Sequence, residues 1–304
     1  MRHVILKSTL IRVTKMKKLF SFCLTVLFLF PIGGYAQGIG PERGSLVMVG
    51  GGMRDLSILE RFMDLAGGKD APIVFIPTAG EGDQYDEFYQ GLNSFRAVGA
   101  SNLTVLHTSD PIVANTEEFV SPLLEAHGVW FGGGRQWRLV DAYMNTCVHE
   151  ELDALLERGG VIGGSSAGAT IQGSYLARGD TQTNTVMMGD HEEGLAFIKN
   201  VAIDQHLLRR NRQFDLIEII EARPELLGIG IDEDTAIIVR GDNFEVMGSG
   251  YVAIYDARKM IDSGGQYYFL APGDRFNLAT REAFRPSRDL QPLERIVERE
   301  WPKK

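Results

Sequence analysis

The segment Gly160-Val161-Ile162-Gly163-Gly164-Ser165-Ser166-Ala167-Gly168-Ala169 carries the strongest chemical signal in the chain. It contains Gly-x-Ser-x-Gly, with Gly164 and Gly168 flanking Ser166 where a sharp strand-to-helix turn brings backbone too close for a Cβ. A β-branched pair precedes it and a helix-competent run, Ala167 to Leu176, follows, so Ser166 is placed as a nucleophile and Ser165 in the variable position. In such a turn the Ala167 N–H points to where an oxyanion would form. The bland alternative is a Gly/Ser-rich turn that only packs a helix on a strand.

A serine hydroxyl is a poor nucleophile near neutral pH and needs a base within hydrogen-bond reach. Beyond residue 36 the chain has five histidines. His107, His127 and His149 read as strand-end or helix-edge residues, and His191 lies in the acidic loop Gly189-Asp190-His191-Glu192-Glu193. His206 differs, because the apolar run in Val201-Ala202-Ile203-Asp204-Gln205-His206 delivers it to a sheet edge, where α/β folds place reactive groups. A third group must orient that imidazole and stabilise its charged form. Glu233, directly after a strand and so rigidly held, is favoured, and Asp180, fourteen residues after Ser166, stays open.

A second glycine cluster, Phe131-Gly132-Gly133-Gly134-Arg135-Gln136, also follows a strand. It and Gly50-Gly51-Gly52 could cradle a phosphate, but neither spells a dinucleotide fingerprint or a P-loop. The reading taken is that Gly133 or Gly134 supplies a second oxyanion N–H and that Gln136 reaches into the cleft. Arg209, Arg210 and Arg212 follow His206; on a helix Arg209 and Arg212 would share a face and could grip a substrate carboxylate, or they are ordinary solvated charge.

These residues need elements to hold them. From Ser45 onward short β-branched runs alternate with amphipathic stretches, the pattern of a parallel sheet covered by helices on both faces. Strands are predicted at Leu46 to Val49, Ile73 to Ile76, Leu103 to Leu106, Val129 to Phe131 and Val161 to Gly163. Helices are predicted at Leu56 to Leu65, Tyr85 to Val98, Glu117 to Ala126, Trp137 to Tyr143, Glu150 to Leu156 and Leu207 to Ala222. Closely spaced strands at Gly228 to Ile231, Ala236 to Val239, Phe244 to Met247, Tyr251 to Tyr255 and Tyr267 to Leu270 read as hairpins added to that core.

The first residues stand apart. Six basic residues and no acidic ones precede the apolar run Leu19 to Ile32, which ends in Gly33-Gly34-Tyr35-Ala36, the pattern of a secretory leader cleaved after Ala36. The expected organisation is therefore a signal peptide over 1–36 and a single domain over 37–304, exported to the periplasm or beyond. Without the leader, 25 Lys and Arg (31 less those 6) face 40 Asp and Glu, a net charge of −15. Such acidity argues against a nucleic-acid or anionic-membrane binder. Cys147 is then the one cysteine left, which excludes an internal disulfide and a Cys-rich metal site.

Taken jointly, the motifs resemble the cyanophycinase and aspartyl dipeptidase (peptidase E) family of serine peptidases. The resemblance rests on Gly164 to Ala169, on Asp204-Gln205-His206 with Arg210 and Arg212, and on the turn ending at Gln136. It rests also on Gly50-Gly51-Gly52 and on Gly230-Ile231-Asp232-Glu233-Asp234-Thr235, all in the same order over residues 46 to 255. It implies an α/β three-layer sandwich with a mostly parallel central sheet, similar to class I glutamine amidotransferases with a flavodoxin-like core, plus C-terminal β-hairpins. It implies Ser166 as nucleophile, His206 as base and Glu233 or Asp180 as acid. Gln136, Asp204, Gln205, Arg210 and Arg212 become substrate-binding residues, and no metal or cofactor takes part. The implied partner is a peptide or isopeptide containing aspartyl units, with no nucleic acid and no membrane span once the leader is gone; a homodimer is a further expectation. Asp215 stands where cyanophycinases carry a further Arg, a departure that bears on the substrate. Two rivals remain: a glutaminase-like amidase, which the shared fold invites but which calls for Cys at the elbow, and an exported binding protein that uses the arginines to hold an acidic ligand.

Overall fold

The computed structural model describes residues 38–258 and 265–286, all within one unit, Gln37–Lys304. The expected leader over 1–36 lies outside the described residues. Five parallel strands form the heart of a nine-stranded sheet: β1 (Ser45–Val49), β2 (Ile73–Ile76), β3 (Leu103–Val105), β4 (Gly128–Phe131) and β5 (Val161–Ser165), in the order β1-β5-β4-β2-β3. Four later strands extend it beyond β1 in antiparallel fashion: β9 (Thr235–Arg240), β10 (Asn243–Gly248), β13 (Arg275–Asn277) and β14 (Glu282–Phe284). The sheet is thus parallel where β-α-β crossovers build it and antiparallel in the β9-β10 and β13-β14 hairpins, in which a tight turn returns the chain alongside itself, and where β9 joins β1 and β13 joins β10.

Each central strand is apolar on both faces, as burial between two layers requires. In β1, Leu46 and Met48 join one core cluster while Val47 and Val49 join the other. One layer is α1 (Ser57–Ala66) and α2 (Asn93–Ala97), sealed by Phe62, Phe95 and Trp130 packed edge to face with centroids 5.0 to 6.0 Å apart. The opposite layer holds α3 (Pro111–Ala114), α4 (Glu117–Leu124), α5 (Gln136–Tyr143) and α6 (Cys147–Glu157), whose Leu139, Leu152 and Leu155 lie in the larger cluster.

A second sheet shares that larger core. It runs β12-β11-β8-β7-β6, from β6 (Gly173–Tyr175), β7 (Ile198–Gln205), β8 (Leu227–Ile231), β11 (Val252–Asp256) and β12 (Tyr268–Leu270). Ile229 and Ile231 of β8 and Val201 and Ile203 of β7 belong to the same cluster as Leu46 and Met48. Its other face is covered by α8 (Asp215–Ala222) through Leu216, Ile219 and Ile220.

Three sequence expectations need correction. The helix expected from Ala167 to Leu176 is one turn, α7 (Ala167–Thr170), because the Gln172 amide takes the Gly168 carbonyl at 2.8 Å and the chain then pairs with β7 as β6. The helix expected from Leu207 to Ala222 begins only at Asp215. Before it the chain forms a turn, held by Asp232 Oδ1 accepting from the N–H groups of Leu208 and Arg209 at 3.0 Å, that is closed when Asn211 takes φ 58° and the Arg212 N–H returns to the Leu207 carbonyl at 2.7 Å. The helix expected from Tyr85 to Val98 is confined to a 3₁₀ turn at Gln90–Leu92 and α2, since Asp86 caps its own loop through the Phe88 N–H.

Candidate active site

Ser166 sits between β5 and α7 with φ 58° and ψ −114°, a conformation outside the ordinary wells for a residue with a side chain. The bend survives because its neighbours are glycines: a Cβ on Gly164 would lie 2.2 Å from the Gly168 carbonyl oxygen, and one on Gly168 equally close to that of Phe131. The Ser166 N–H donates to the Val49 carbonyl at 2.9 Å, tying the elbow to the end of β1.

His206, at the end of β7, reaches the elbow from the second sheet. Its Nε2 lies 2.9 Å from Ser166 Oγ, and its Nδ1 lies 2.7 Å from Glu233 Oε1 in the turn between β8 and β9. The Gly50-Gly51-Gly52 turn after β1 wraps this pair. Its Gly50 carbonyl accepts from His206 N–H, and its Gly51 carbonyl accepts from Asp234 N–H, each at 2.8 Å. A Cβ on Gly51 would stand 2.2 Å from His206 Cε1, and one on Gly52 would stand 2.5 Å from Glu233 Oε2. The glycine run that reads in isolation as a phosphate cradle is here the space in which an imidazole and a carboxylate meet.

Burial penalises the charged imidazole and lowers the His206 pKa below its ordinary 6.5; the Glu233 hydrogen bond opposes this, and the Arg210 and Arg212 charges add to the lowering. A neutral ring with Nδ1–H donated to Glu233 leaves an Nε2 lone pair for the serine proton. Gly133 is the glycine beside the nucleophile, its Cβ position 3.4 Å from Ser166 Cβ; Gly134 instead abuts the Ala79 carbonyl. Among the described residues neither the Ala167 nor the Gly133 N–H has an intramolecular acceptor. The arrangement can therefore deprotonate a hydroxyl, deliver it to a carbonyl, and offer two N–H groups to the developing oxyanion. No group of three or more His, Cys, Asp or Glu among the described residues could hold a metal ion.

Several residues selected from the sequence stand elsewhere. Asp180 is away from the imidazole: its Oδ1 accepts from the N–H groups of Gln182 and Thr183 at 3.0 and 2.7 Å, so its carboxylate closes its own loop. Gln136 is buried and donates its amide to the carbonyls of Ala177 and Arg178 at 2.7 and 3.0 Å, which makes it a strut for that loop. Asp204 is fully buried and bound by Arg178 through Nε at 2.8 Å and Nη2 at 3.0 Å, out of a substrate's reach. Gln205 accepts from Arg212 Nη1 at 2.7 Å, and so positions the arginine.

Arg210 and Arg212 line a cavity of about 500 Å³ together with Arg178, Thr185, Met187, Phe214, Asp215 and Glu218. Arg209 does not share a face with Arg212: it is exposed, with Nε 3.8 Å from Glu233 Oε2, whereas Arg212 is buried. The contribution of Gly51 and Gly52 and the hub at Arg178 were not read from the sequence. The one signal available was a glycine triplet directly after a strand.

The chain is similar to known proteins over most of its length. The model of peptidase family S51 matches residues 46–247. A cyanophycinase of Geminocystis herdmanii is 31% identical over 282 residues, covering 84% of this chain and 98% of the relative. A cyanophycinase of Synechococcus elongatus is 31% identical over 279 residues, covering 84% of this chain and 86% of its own. Among solved structures, a peptidase from an acI-B1 Actinobacterium superposes with a TM-score of 0.60 at 25% identity, over 80% of this chain and 99% of that one.

Proposed function

The chain belongs to peptidase family S51 and is a serine-type peptidase, and from that premise we propose that it hydrolyses peptide or isopeptide bonds at aspartyl units through Ser166, His206 and Glu233. Ser166 Oγ attacks the scissile carbonyl as His206 Nε2 takes its proton. The oxyanion of the tetrahedral intermediate accepts from Ala167 and Gly133 N–H. His206 then passes its proton to the leaving amine, and an acyl-serine ester remains. Water enters, gives a proton to His206 and attacks the ester; Ser166 leaves with that proton and the carboxylic acid departs.

The observation that carries this reading is the unbroken path from hydroxyl to imidazole to carboxylate, 2.9 Å and then 2.7 Å. The aspartyl preference is supported by Arg210 and Arg212 in one cavity, because a guanidinium pair suits a carboxylate, and by the cyanophycinases among its relatives. Asp215 in that cavity is the reason the substrate is given as the aspartyl class rather than as one polymer. The basic and apolar start of the chain supports action outside the cytoplasm; expression in a bacterial host should yield an exported form beginning at Gln37, and a cytoplasmic full-length product would contradict it.

The test is hydrolysis by the purified chain of α-aspartyl dipeptides, β-aspartyl dipeptides and cyanophycin, alongside Ser166→Ala. Substitution should lower kcat by at least about 10³-fold with the fold retained. Equal inertness of the wild type toward all three substrates would remove the substrate class, and full activity of Ser166→Ala would remove the nucleophile.

A further inference from the structure

The cavity lined by Arg210 and Arg212 is organised by a residue outside every motif of the sequence. Arg178 lies in the connection between β6 and β7, with 2% of its surface exposed and φ 59°. Its guanidinium bonds both oxygens of Asp204 and one of Asp215, and its Nη1 donates to the Asn184 carbonyl at 2.9 Å. Its own backbone is held at both ends, N–H to the Met187 carbonyl and carbonyl to the Gln136 amide, each at 3.0 Å. One arginine thus ties its own loop, the strand carrying His206 and the start of α8.

The same Asp204 oxygen faces a second cation. Oδ1 accepts from Arg178 Nε at 2.8 Å, while Arg212 Nη1 stands 3.8 Å from it and is bonded instead to Gln205 Oε1 and the Gln205 carbonyl. Asp204 is fully buried, and a buried carboxylate must have a partner. We propose that Arg178 is a positioning residue for the hydrolysis: by satisfying Asp204 it keeps Arg212 on Gln205, at the wall of the cavity, where its charge serves a substrate carboxylate. Without Arg178, Asp204 recruits Arg212 across a gap of about one ångström and the cavity loses that cation. Lysine replaces it only in part, since a single ammonium cannot span both Asp204 oxygens and Asp215 as the planar fork does.

This inference rests on the aspartyl-peptidase reading, and its test separates the two. KM and kcat are measured on an aspartyl dipeptide for the wild type, Arg178→Met, Arg178→Lys and the double variant Arg178→Met/Asp204→Asn. The affinity of each protein for L-aspartate is measured by calorimetry. Arg178→Met should raise KM about tenfold or more and weaken aspartate equally, with kcat within about threefold. Arg178→Lys should fall between that variant and the wild type. In the double variant the buried charge that recruits Arg212 is gone, so KM and aspartate affinity should return to within about threefold of wild type. A role confined to stability predicts instead a lower melting temperature with no selective change in KM, and no rescue by Asp204→Asn. Unchanged KM in a folded Arg178→Met protein, or a loss that the second substitution fails to relieve, overturns the proposal. Should Arg178→Met not fold, the double variant decides alone: weak aspartate binding there counts against it. A wild type that neither hydrolyses the peptide nor binds aspartate removes the underlying reading and this inference with it.

Discussion

Two hydroxyl–imidazole pairs stand at the edge of the central sheet. In one, Ser166 Oγ lies 2.9 Å from His206 Nε2; in the other, Thr78 Oγ1 lies 2.8 Å from His107 Nδ1. Burial lowers the pKa of both histidines. The surroundings differ. Thr78 Oγ1 is also bonded at 2.6 Å to Tyr143 OH, a buried phenol whose pKa is pushed up to about 12 by desolvation. The His107 ring is held by the backbone of Asp83, whose charge also favours the imidazolium, but among the described residues no carboxylate is hydrogen-bonded to the ring. His206 instead faces the Glu233 carboxylate, and Ser166 projects from a strained bend beside two N–H groups. A hydroxyl near an imidazole is thus a common structural contact. What sets the Ser166 pair apart is the carboxylate on its imidazole and the two nearby N–H groups without an intramolecular acceptor among the described residues, the features serine catalysis needs.

That contrast can be tested by taking away what sets the first pair apart. Glu233→Gln preserves shape but removes the charge that balances the imidazolium, and its amide can hold the wrong tautomer. Steady-state kinetics should show kcat/KM lowered by roughly 10³- to 10⁴-fold. A loss below tenfold would place the two histidines on the same footing.

A smaller effect is expected from the cation near the ring. The base must be neutral, so activity falls as pH drops through the His206 pKa, and that acidic limb should lie below the ordinary histidine value of 6.5. The Arg210 charge contributes to the lowering, so Arg210→Ala should shift the limb toward higher pH in a kcat/KM profile. A shift toward lower pH would reverse the electrostatic assignment.

The smallest effect on catalysis is expected at the second pair. Thr78→Val leaves Tyr143 OH without its shortest hydrogen bond and should cost about 1–3 kcal/mol of unfolding free energy in denaturant titration. Its kcat/KM should stay within about threefold of wild type. A hundredfold loss would mean that the Thr78 relay belongs to the reaction.

Much of the fold was legible in residue order. The four inner parallel strands carry apolar side chains on both faces, so two-sided burial was encoded locally, and the strand read at Ile73 to Ile76 coincides with β2. The helices after the elbow and after His206 were overread. Their sequences are helix-competent, but the Gln172 side chain takes a helical carbonyl and the left-handed Asn211 closes the other turn, choices made only once the chain is folded. Asp204 and Gln205 fared similarly. The family resemblance implies substrate contact for both, yet burial commits Asp204 to Arg178 and Gln205 to Arg212.

The order of residues by itself determined the elbow, because Gly-x-Ser-x-Gly between a strand and a helical turn is a local steric statement. It also determined that histidine and carboxylate would end strands, where a parallel sheet presents reactive groups. Only the tertiary structure decided that Glu233 and not Asp180 faces His206, that Gly51 and Gly52 make room for that pair, and that Arg178 occupies Asp204. These contacts join residues 26 to 181 positions apart. Their formation depends on how the sheets pack on one core, a property of the whole chain that no local pattern contains.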